Sequence, residues 1–402
     1  MVQQKLVFSE KTHKDDGIYQ DEPELRFPEF KNDWKTQIFD ENLSIISGKG
    51  FKASEYVDEG IPILKIDNVG YNKIKWENKD FLPYNYRHEY PNLILKKEDI
   101  VLALNRPITN NQLKMAKLTS EDGECILYQR VGKIDVNESK LEKNFIYYLL
   151  YKEIFKFVLK TAIGSDQPFI STNKLKELRF SVPILNEQKK IANFLLVIDK
   201  KIELLEKKHQ LFKDFKNYSM QQIFTSKLRC VEFDEKWVWL NFKDIFKTIS
   251  TKKYQIKSSE INEKGLYEVV DQGQQDIAGY NDDNSKLFMK LPIIVYGDHT
   301  TFVKYRNSPF IVGADGVKLL SLAINADMKY MYYALDYFNI KPEGYKRHFS
   351  IIKKIDLPIP SLNEQKYISS FFSKLDDEIN FLKLQIENTK RFKKGLLQKM
   401  FV

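Results

Sequence analysis

Two stretches of this chain repeat each other, and a duplication constrains the possible folds more tightly than composition does. Leu175-Lys-Glu-Leu-Arg-Phe-Ser-Val-Pro-Ile-Leu-Asn-Glu-Gln-Lys189 aligns with Ile352-Lys-Lys-Ile-Asp-Leu-Pro-Ile-Pro-Ser-Leu-Asn-Glu-Gln-Lys366. The match runs on without a gap: Ile191, Phe194, Asp199, Ile202 and Leu205 correspond to Ile368, Phe371, Asp376, Ile379 and Leu382. Phe215-Lys216, Gln221 and Phe224 correspond to Phe392-Lys393, Gln398 and Phe401. An opening motif is repeated as well, with Leu25-Arg26, Glu29-Phe30 and Trp34 echoed by Leu228-Arg229, Glu232-Phe233 and Trp237. Opening matches lie 203 residues apart (Leu25 to Leu228) and closing ones 177 (Lys189 to Lys366), so the first insert is 26 residues longer. The chain reads as opening motif, variable domain and long helix, then all three again.

Periodicity predicts the helices. Ile191, Leu195, Ile198, Ile202, Leu205, His209 and Phe212 follow a 4-3 alternation over three heptads, repeated by Ile368, Phe372, Leu375, Ile379, Leu382, Ile386 and Thr389. Asn186 and Asn363 are the expected N-caps, with Gln188 and Gln365 in the first turns. Two equal seams in one chain are most simply buried against each other or against partner helices. The inserts differ in kind. Ile61–Ile66, Asp99–Leu104, Ile126–Tyr128 and Leu291–Tyr296 are short β-like runs, punctuated by Glu59-Gly60, Asp122-Gly123, Gly297-Asp298 and Asp315-Gly316. Helices are expected at Phe145–Leu159 and Lys329–Tyr337.

The expected fold class is therefore α/β (α+β): two small mixed α/β domains separated by two long antiparallel coiled-coil helices, as a pseudo-twofold repeat. The expected boundaries are a flexible arm over 1–24, a first variable domain over 25–182, a first helix over 183–227, a second domain over 228–359 and a second helix over 360–402.

Composition narrows the function. Lys plus Arg outnumber Asp plus Glu by 64 to 55, a net charge of +9, which favours a polyanionic partner. No apolar run is long enough to span a bilayer, and the N-terminus lacks the apolar core of a secretory signal. Cys125 and Cys230 stand far apart without metal spacing, which fits a reducing cytoplasm. There is no Gly-Lys-Ser/Thr phosphate loop, no His-Glu-x-x-His and no Asn/Asp-Pro-Pro-Tyr/Phe stretch. Gly48-Lys-Gly50-Phe-Lys-Ala53 imitates a dinucleotide fingerprint, but Gly60-Ile61-Pro62 interrupts the helix that should follow. His13, His88, His209, His299 and His348 form no metal spacing. A binder is expected, not a catalyst.

The repeated Pro-x-Leu-Asn-Glu-Gln-Lys-x-Ile-x-x-Phe motif, from Pro183 to Asp199 and from Pro360 to Asp376, resembles the conserved regions of type I restriction–modification specificity subunits. Leu25-Arg-Phe-Pro-Glu-Phe30 and its echo fit that family, and Gly297–Lys304 with Pro309–Lys318 looks like one of its target-recognition domains. Gln167-Pro-Phe-Ile-Ser171 stands where the family has Gln-x-Asn-Ile-Ser, whereas the second half has Arg347-His-Phe-Ser350. The resemblance implies a non-catalytic subunit that binds a split, asymmetric site in double-stranded DNA, with the helices setting the gap. It implies assembly with two modification subunits, bringing S-adenosylmethionine and adenine-N6 methylation. Two restriction subunits would bring ATP and Mg2+.

Arg, Lys, Asn and Gln match base edges, whereas Lys, Ser and Thr suffice for phosphates. On that basis the DNA candidates of the first domain are Asn105, Arg106, Thr109, Asn110, Gln112 and Lys114, with Lys49 and Lys52 as phosphate ligands and Gln167 as either. Those of the second are Asp298, His299, Thr300, Thr301, Lys304 and Arg306, backed by Lys318, Arg347 and His348. Lys252, Lys253, Tyr254, Gln272 and Gln274 complete the set. Lys207-Lys208, Lys390-Arg391 and Lys393-Lys394 read either as a solvated coiled-coil flank or as a face toward DNA or acidic partners. The alternative function is a coiled-coil protein adaptor, which leaves the basic, Asn/Gln-rich loops unexplained.

Overall fold

The computed structural model describes residues 22–161, 168–313, 315–344 and 346–402. The expected N-terminal arm, up to residue 21, lies outside them, as does Gln167. The chain forms two compact units, Met1–Leu204 with Ile386–Val402 and Leu205–Gln385.

Four helices organise the units: α1 (Lys143–Thr161), α2 (Leu185–Phe224), α3 (Met328–Tyr337) and α4 (Leu362–Lys399). The two long ones are the predicted repeat helices, and both unit boundaries fall inside them. Both start one residue ahead of the expected cap, so Asn186 and Asn363 sit in the first turn. The turn is tied instead by Gln188 and Gln365, whose Nε2 atoms donate to the carbonyls of Pro183 and Pro360 at 2.8 Å each.

The first unit contains β1 (Lys35–Ile38), β2 (Leu43–Ser47), β3 (Ile61–Leu64), β4 (Phe81–Leu82), β5 (Ile94–Leu95), β6 (Ile100–Ala103), β7 (Met115–Lys117), β8 (Cys125–Leu127), β9 (Val131–Val136) and β10 (Arg179–Val182). They form one sheet in the order β2-β9-β6-β7 and another in the order β4-β3-β8-β5. β1 and β10 pair with each other, so the strand entering the domain closes against the strand leaving it.

In the second unit the strands are β11 (Val238–Asn241), β12 (Phe246–Ile249), β13 (Gln255–Ile256), β14 (Tyr267–Val270), β15 (Gly279–Asn281), β16 (Leu287–Phe288), β17 (Ile293–Gly297), β18 (Val303–Arg306), β19 (Phe310–Gly313), β20 (Val317–Leu322) and β21 (Asp356–Ile359). The orders are β12-β20-β17-β18 and β13-β19-β14-β15, with β16 also on β19, while β11 pairs with β21. The strand orders repeat those of the first unit, with β13 added and, among the described residues, without the first unit's Ile108–Thr109 and Gln112–Leu113 hairpin, although the inserts share little sequence.

Each core takes in helix as well as sheet. In the first unit Ile191, Leu195, Ile198 and Ile202 of α2 pack with Phe145, Ile146 and Leu149 of α1 and with Leu396, Met400 and Phe401 at the chain end. In the second, Met220 and Phe224 of α2 join Ile368, Phe372 and Leu375 of α4 and Tyr330 and Tyr333 of α3. Within this unit the two long helices run antiparallel: Lys208 bonds Glu378 at 2.8 Å, Lys216 bonds Asp376 at 2.6 Å, and the Phe224 ring meets that of Phe372. The predicted seam positions are the inward ones; His209, also on the seam, is half-buried. Lys208 and Lys393 meet acidic partners inside their units, and Lys207, Lys208, Lys390, Arg391 and Lys394 are all exposed. Among the described residues no helix is long and apolar enough to cross a membrane, and no group of His, Cys, Asp and Glu is arranged to hold a metal ion.

Candidate nucleic-acid interface

Strand direction decides where the candidate loops collect. β2 and β6 are both antiparallel to β9, so they end at the same sheet edge, where β9 begins. β3 and β8 are parallel to each other, and β8 turns into β9 at that edge. The loops after β2, β3, β6 and β8 therefore share one edge, and those after β12, β14, β17 and β19 share the corresponding edge of the other unit.

In the first unit the backbone stitches this edge together. Leu104 N donates to Arg130 O at 2.9 Å, Gln129 N to Lys49 O at 3.0 Å, and Arg106 N to Pro168 O at 2.9 Å. A Cβ at Gly48 would collide with the Tyr128 carbonyl, so the close approach requires glycine there. Thr109, Asn110 and Gln112 stand on a hairpin, Ile108–Thr109 against Gln112–Leu113. Its two central residues, Asn110 and Asn111, have φ of 50° and 56°, the left-handed pair that a two-residue hairpin turn needs and asparagine tolerates. All three predicted hairpin residues are exposed, as is Arg106; Asn105 is half-buried. Lys114 is half-buried, and its Nζ donates to Ile66 O at 3.0 Å, bracing the loop after β3. Lys49 Nζ donates to the Tyr90 hydroxyl at 2.7 Å beside the rings of Phe51 and Tyr90, while Lys52 points to solvent.

Gln129 and Arg130 are not among the sequence candidates, yet they stand at the same edge. Both are exposed on the β8–β9 turn, with Arg130 at φ 67°. The signal was available, because they follow the strand-like Ile126–Tyr128 just as Asn105 and Arg106 follow Asp99–Leu104. Tyr71, whose hydroxyl meets Thr109 Oγ1 at 2.7 Å, gave no signal, since only the fold brings it to the hairpin.

The second unit assembles Gln272, His299, Thr300 and Lys318. Gln272 Oε1 accepts from His299 N at 3.1 Å, Thr300 Oγ1 donates to Gln272 O, and Gln272 Nε2 donates to Asp315 O at 3.1 Å. Lys252, Lys253, Gln274 and Arg347 are exposed around them, and Tyr254 is half-buried with its ring edge-on to Phe288. Gly316 occupies the place of Arg130: it has φ 86°, and its carbonyl accepts from Asp298 N at 2.7 Å.

Five of the residues expected to face DNA point inward: Asp298, Thr301, Lys304, Arg306 and His348. Lys304 Nζ donates to the carbonyls of Asp271 and Gln275 at 2.9 and 2.5 Å, and burial lowers its pKa against the pull of Asp271. Arg306 is held by Asp276 at 2.9 Å and by Glu268. His348 is fully buried; its Nε2 accepts from Glu343 N at 3.0 Å, and its Nδ1 lies 3.2 Å from Asp298 O. Asp298 Oδ1 accepts from Phe349 N at 2.9 Å, and Lys318 approaches Oδ2 at 3.6 Å. The physical reason is that a buried charge or imidazole must find partners, and here they are loop backbone and acidic side chains. These side chains shape the edge from behind.

A sequence model described as the type I restriction modification DNA specificity domain matches residues 31–212 and again residues 234–389. The MjaVIII specificity subunit of a type I restriction enzyme from Methanocaldococcus jannaschii is 44% identical over 202 residues, half of this chain and 48% of that protein. The chain thus spans about half the length of that curated relative. A proposed MjaX specificity subunit of the same organism is 28% identical over 417 aligned positions, covering 92% of this chain and 93% of the relative. The crystal structure of a type I restriction–modification S subunit from M. genitalium superposes with a TM-score of 0.63 at 19% identity, covering 95% of this chain and 99% of the other.

Proposed function

This chain belongs to the family of type I restriction–modification DNA specificity subunits, and on that premise we propose that it reads a two-part, asymmetric DNA sequence, one half with each unit. One observation carries the reading: the same sheet edge is built twice on one repeated frame and furnished with different side chains. The first edge offers Asn105, Arg106, Thr109, Asn110, Gln112, Gln129 and Arg130; the second offers Gln272, Gln274, His299, Thr300, Lys318 and Arg347. Arg and Lys suit guanine, Asn and Gln suit adenine, and the inward residues hold the loops in register. Unlike readers on like frames imply unlike half-sites.

The long helices would set the gap between the halves and dock the other subunits. Val197, Leu204, Leu211 and Tyr218, seven residues apart on α2, are all more than half exposed, and Phe381, Leu384 and Phe392 on α4 are similarly bare. Apolar side chains at heptad spacing outside the internal seam suit partner helices. Two modification subunits would supply S-adenosylmethionine and the methyl transfer, and two restriction subunits the ATP- and Mg2+-dependent steps. This chain supplies recognition alone.

Gel retardation of duplex DNA by the chain assembled with its modification subunit, against unrelated competitor, tests the reading. A sequence-selective complex that weakens steeply with salt is expected. Equal retardation of all duplexes, or an affinity indifferent to salt, would favour the adaptor reading; methyl transfer by this chain alone would refute a purely recognising role.

A further inference from the structure

Two short turns in inserts of dissimilar sequence have the same build. Lys52-Ala-Ser-Glu55 and Lys257-Ser-Ser-Glu260 each enter a single 3-10 turn, and in each the Glu carboxylate accepts from the backbone N of its own Lys at 2.6 Å. Both stand at the recognition edge. Lys49, three residues before Lys52, is bridged to Tyr128 just after β8, and Lys257 follows β13, whose Ile256 lies opposite Gly313 at the end of β19.

The local chemistry leaves the ammonium groups available. Glu55 is engaged by Lys52 N and, at 2.7 Å, by the Tyr86 hydroxyl. In the second unit Lys252, Lys257 and Lys286 line an open hollow of about 600 Å³ with Gln255 and Asn281. Three carboxylates line it as well, each turned to a neutral donor and still charged: Asp315 accepts from Gln255 Nε2 at 2.8 Å, Asp283 from Ser285 N and Oγ at 2.9 and 2.6 Å, and Glu260 from Lys257 N. Among the described residues, Lys52, Lys252, Lys257 and Lys286 form no salt bridge.

Two domains that read different bases must differ in the side chains that touch bases, whereas the phosphate backbone is the same in every half-site. A feature kept in both edges is therefore suited to the backbone. We propose that the Lys52 and Lys257 turns are paired phosphate clamps, each gripping the DNA backbone beside its half-site without regard to sequence, with Lys252 and Lys286 completing the second clamp. This rests on the DNA-reading function proposed above.

The test uses the full chain assembled with its modification subunit, a duplex carrying the mapped methylation site and a random-sequence duplex pool. Lys52→Ala and Lys257→Ala should each weaken binding to both by the same factor, about threefold to tenfold. Each should also flatten the log K against log salt slope by roughly 0.9. Lys52→Arg and Lys257→Arg should keep wild-type affinity and slope, which separates charge from folding. Unchanged affinity and slope in the alanine variants would overturn the clamps while leaving the DNA-reading function standing. So would a shift in the bases preferred at either half-site, since the lysines would then be base readers. A wild-type complex that binds no duplex would overturn both.

Discussion

Arg26 and Glu187, 161 residues apart, meet in a two-pronged ion pair, with Nε to Oε1 at 2.7 Å and Nη2 to Oε2 at 2.8 Å. Arg229 and Glu364 repeat it in the second unit at 2.8 and 2.7 Å. The opening motif thus closes onto the start of the long helix in each unit, through the arginine of one and the glutamate of the other. The neighbouring Gln188 and Gln365 accept from Glu142 N and Asp327 N, just ahead of α1 and α3, at 2.9 and 2.8 Å. The repeated Glu-Gln pair is a clasp that joins chain start, domain helix and long helix.

Breaking the clasp should be costly. Glu187 is fully buried and the Arg26 side chain is 11% exposed, so Arg26→Met strands a carboxylate with no route to solvent. A loss of about 3 kcal/mol in urea unfolding is expected, with most of it recovered in the double variant Arg26→Met/Glu187→Met. A loss below about 1 kcal/mol would mean that the pair behaves like a surface one.

Base-reading changes should be confined to one half-site. Arg106→Asn, chosen because asparagine accepts the φ of 45° found there, should relax preference in one half by about 1–3 kcal/mol. His299→Ala should act on the other. Mapping methylated sites for each variant complex decides the matter, and equal effects on both halves from one substitution would contradict the division of labour.

Lys304→Met should leave the first half-site untouched and loosen the loop that Lys304 holds by the carbonyls of Asp271 and Gln275. Faster hydrogen exchange over 271–276 and weaker reading of the second half-site are expected together. Exchange at the wild-type rate would show that the ammonium is not the brace.

Alkaline titration should distinguish the tyrosines bound to the helix aspartates. The Tyr148 hydroxyl donates to Asp199 at 2.5 Å and that of Tyr333 to Asp376 at 2.7 Å. Burial, reinforced by the adjacent carboxylate, pushes both phenols above their ordinary value. A folded pKa raised above the unfolded one stabilises fully below about pH 10 and is lost as pH climbs beyond it. Phenolate absorbance should therefore show late-ionising tyrosines, with Tyr148→Phe and Tyr333→Phe each removing one and reducing the alkaline loss of stability. An unchanged count of late-ionising groups would contradict this.

The duplication, the helical seams and the mixed inserts were legible because they are local. A 4-3 alternation from Ile191 to Phe212 buries one face of a helix whatever lies opposite, and β-like runs such as Asp99–Leu104 announce themselves by composition. The polar stretch Asn105–Gln112 was legible for the same reason, as a break after a buried strand. The repeat, its elements and the candidate recognition loops can thus be read from residue order alone.

Tertiary structure decided which of those loop residues reach solvent. Lys304 and Arg306 sit two apart on β18, so strand geometry sends both to one face, and the pairing of Val295 with Lys304 fixes that face inward. His348 is sealed by a carbonyl and an amide that come from Asp298 and Glu343. The direction of β2, β6 and β8 brings Gln129 and Arg130 to the edge that Arg106 occupies. Repetition also displayed Arg26 and Glu187 as parts of two separate motifs, yet nothing local says that they touch. Period and propensity act within a few residues, whereas burial and pairing depend on partners that only the folded chain brings together.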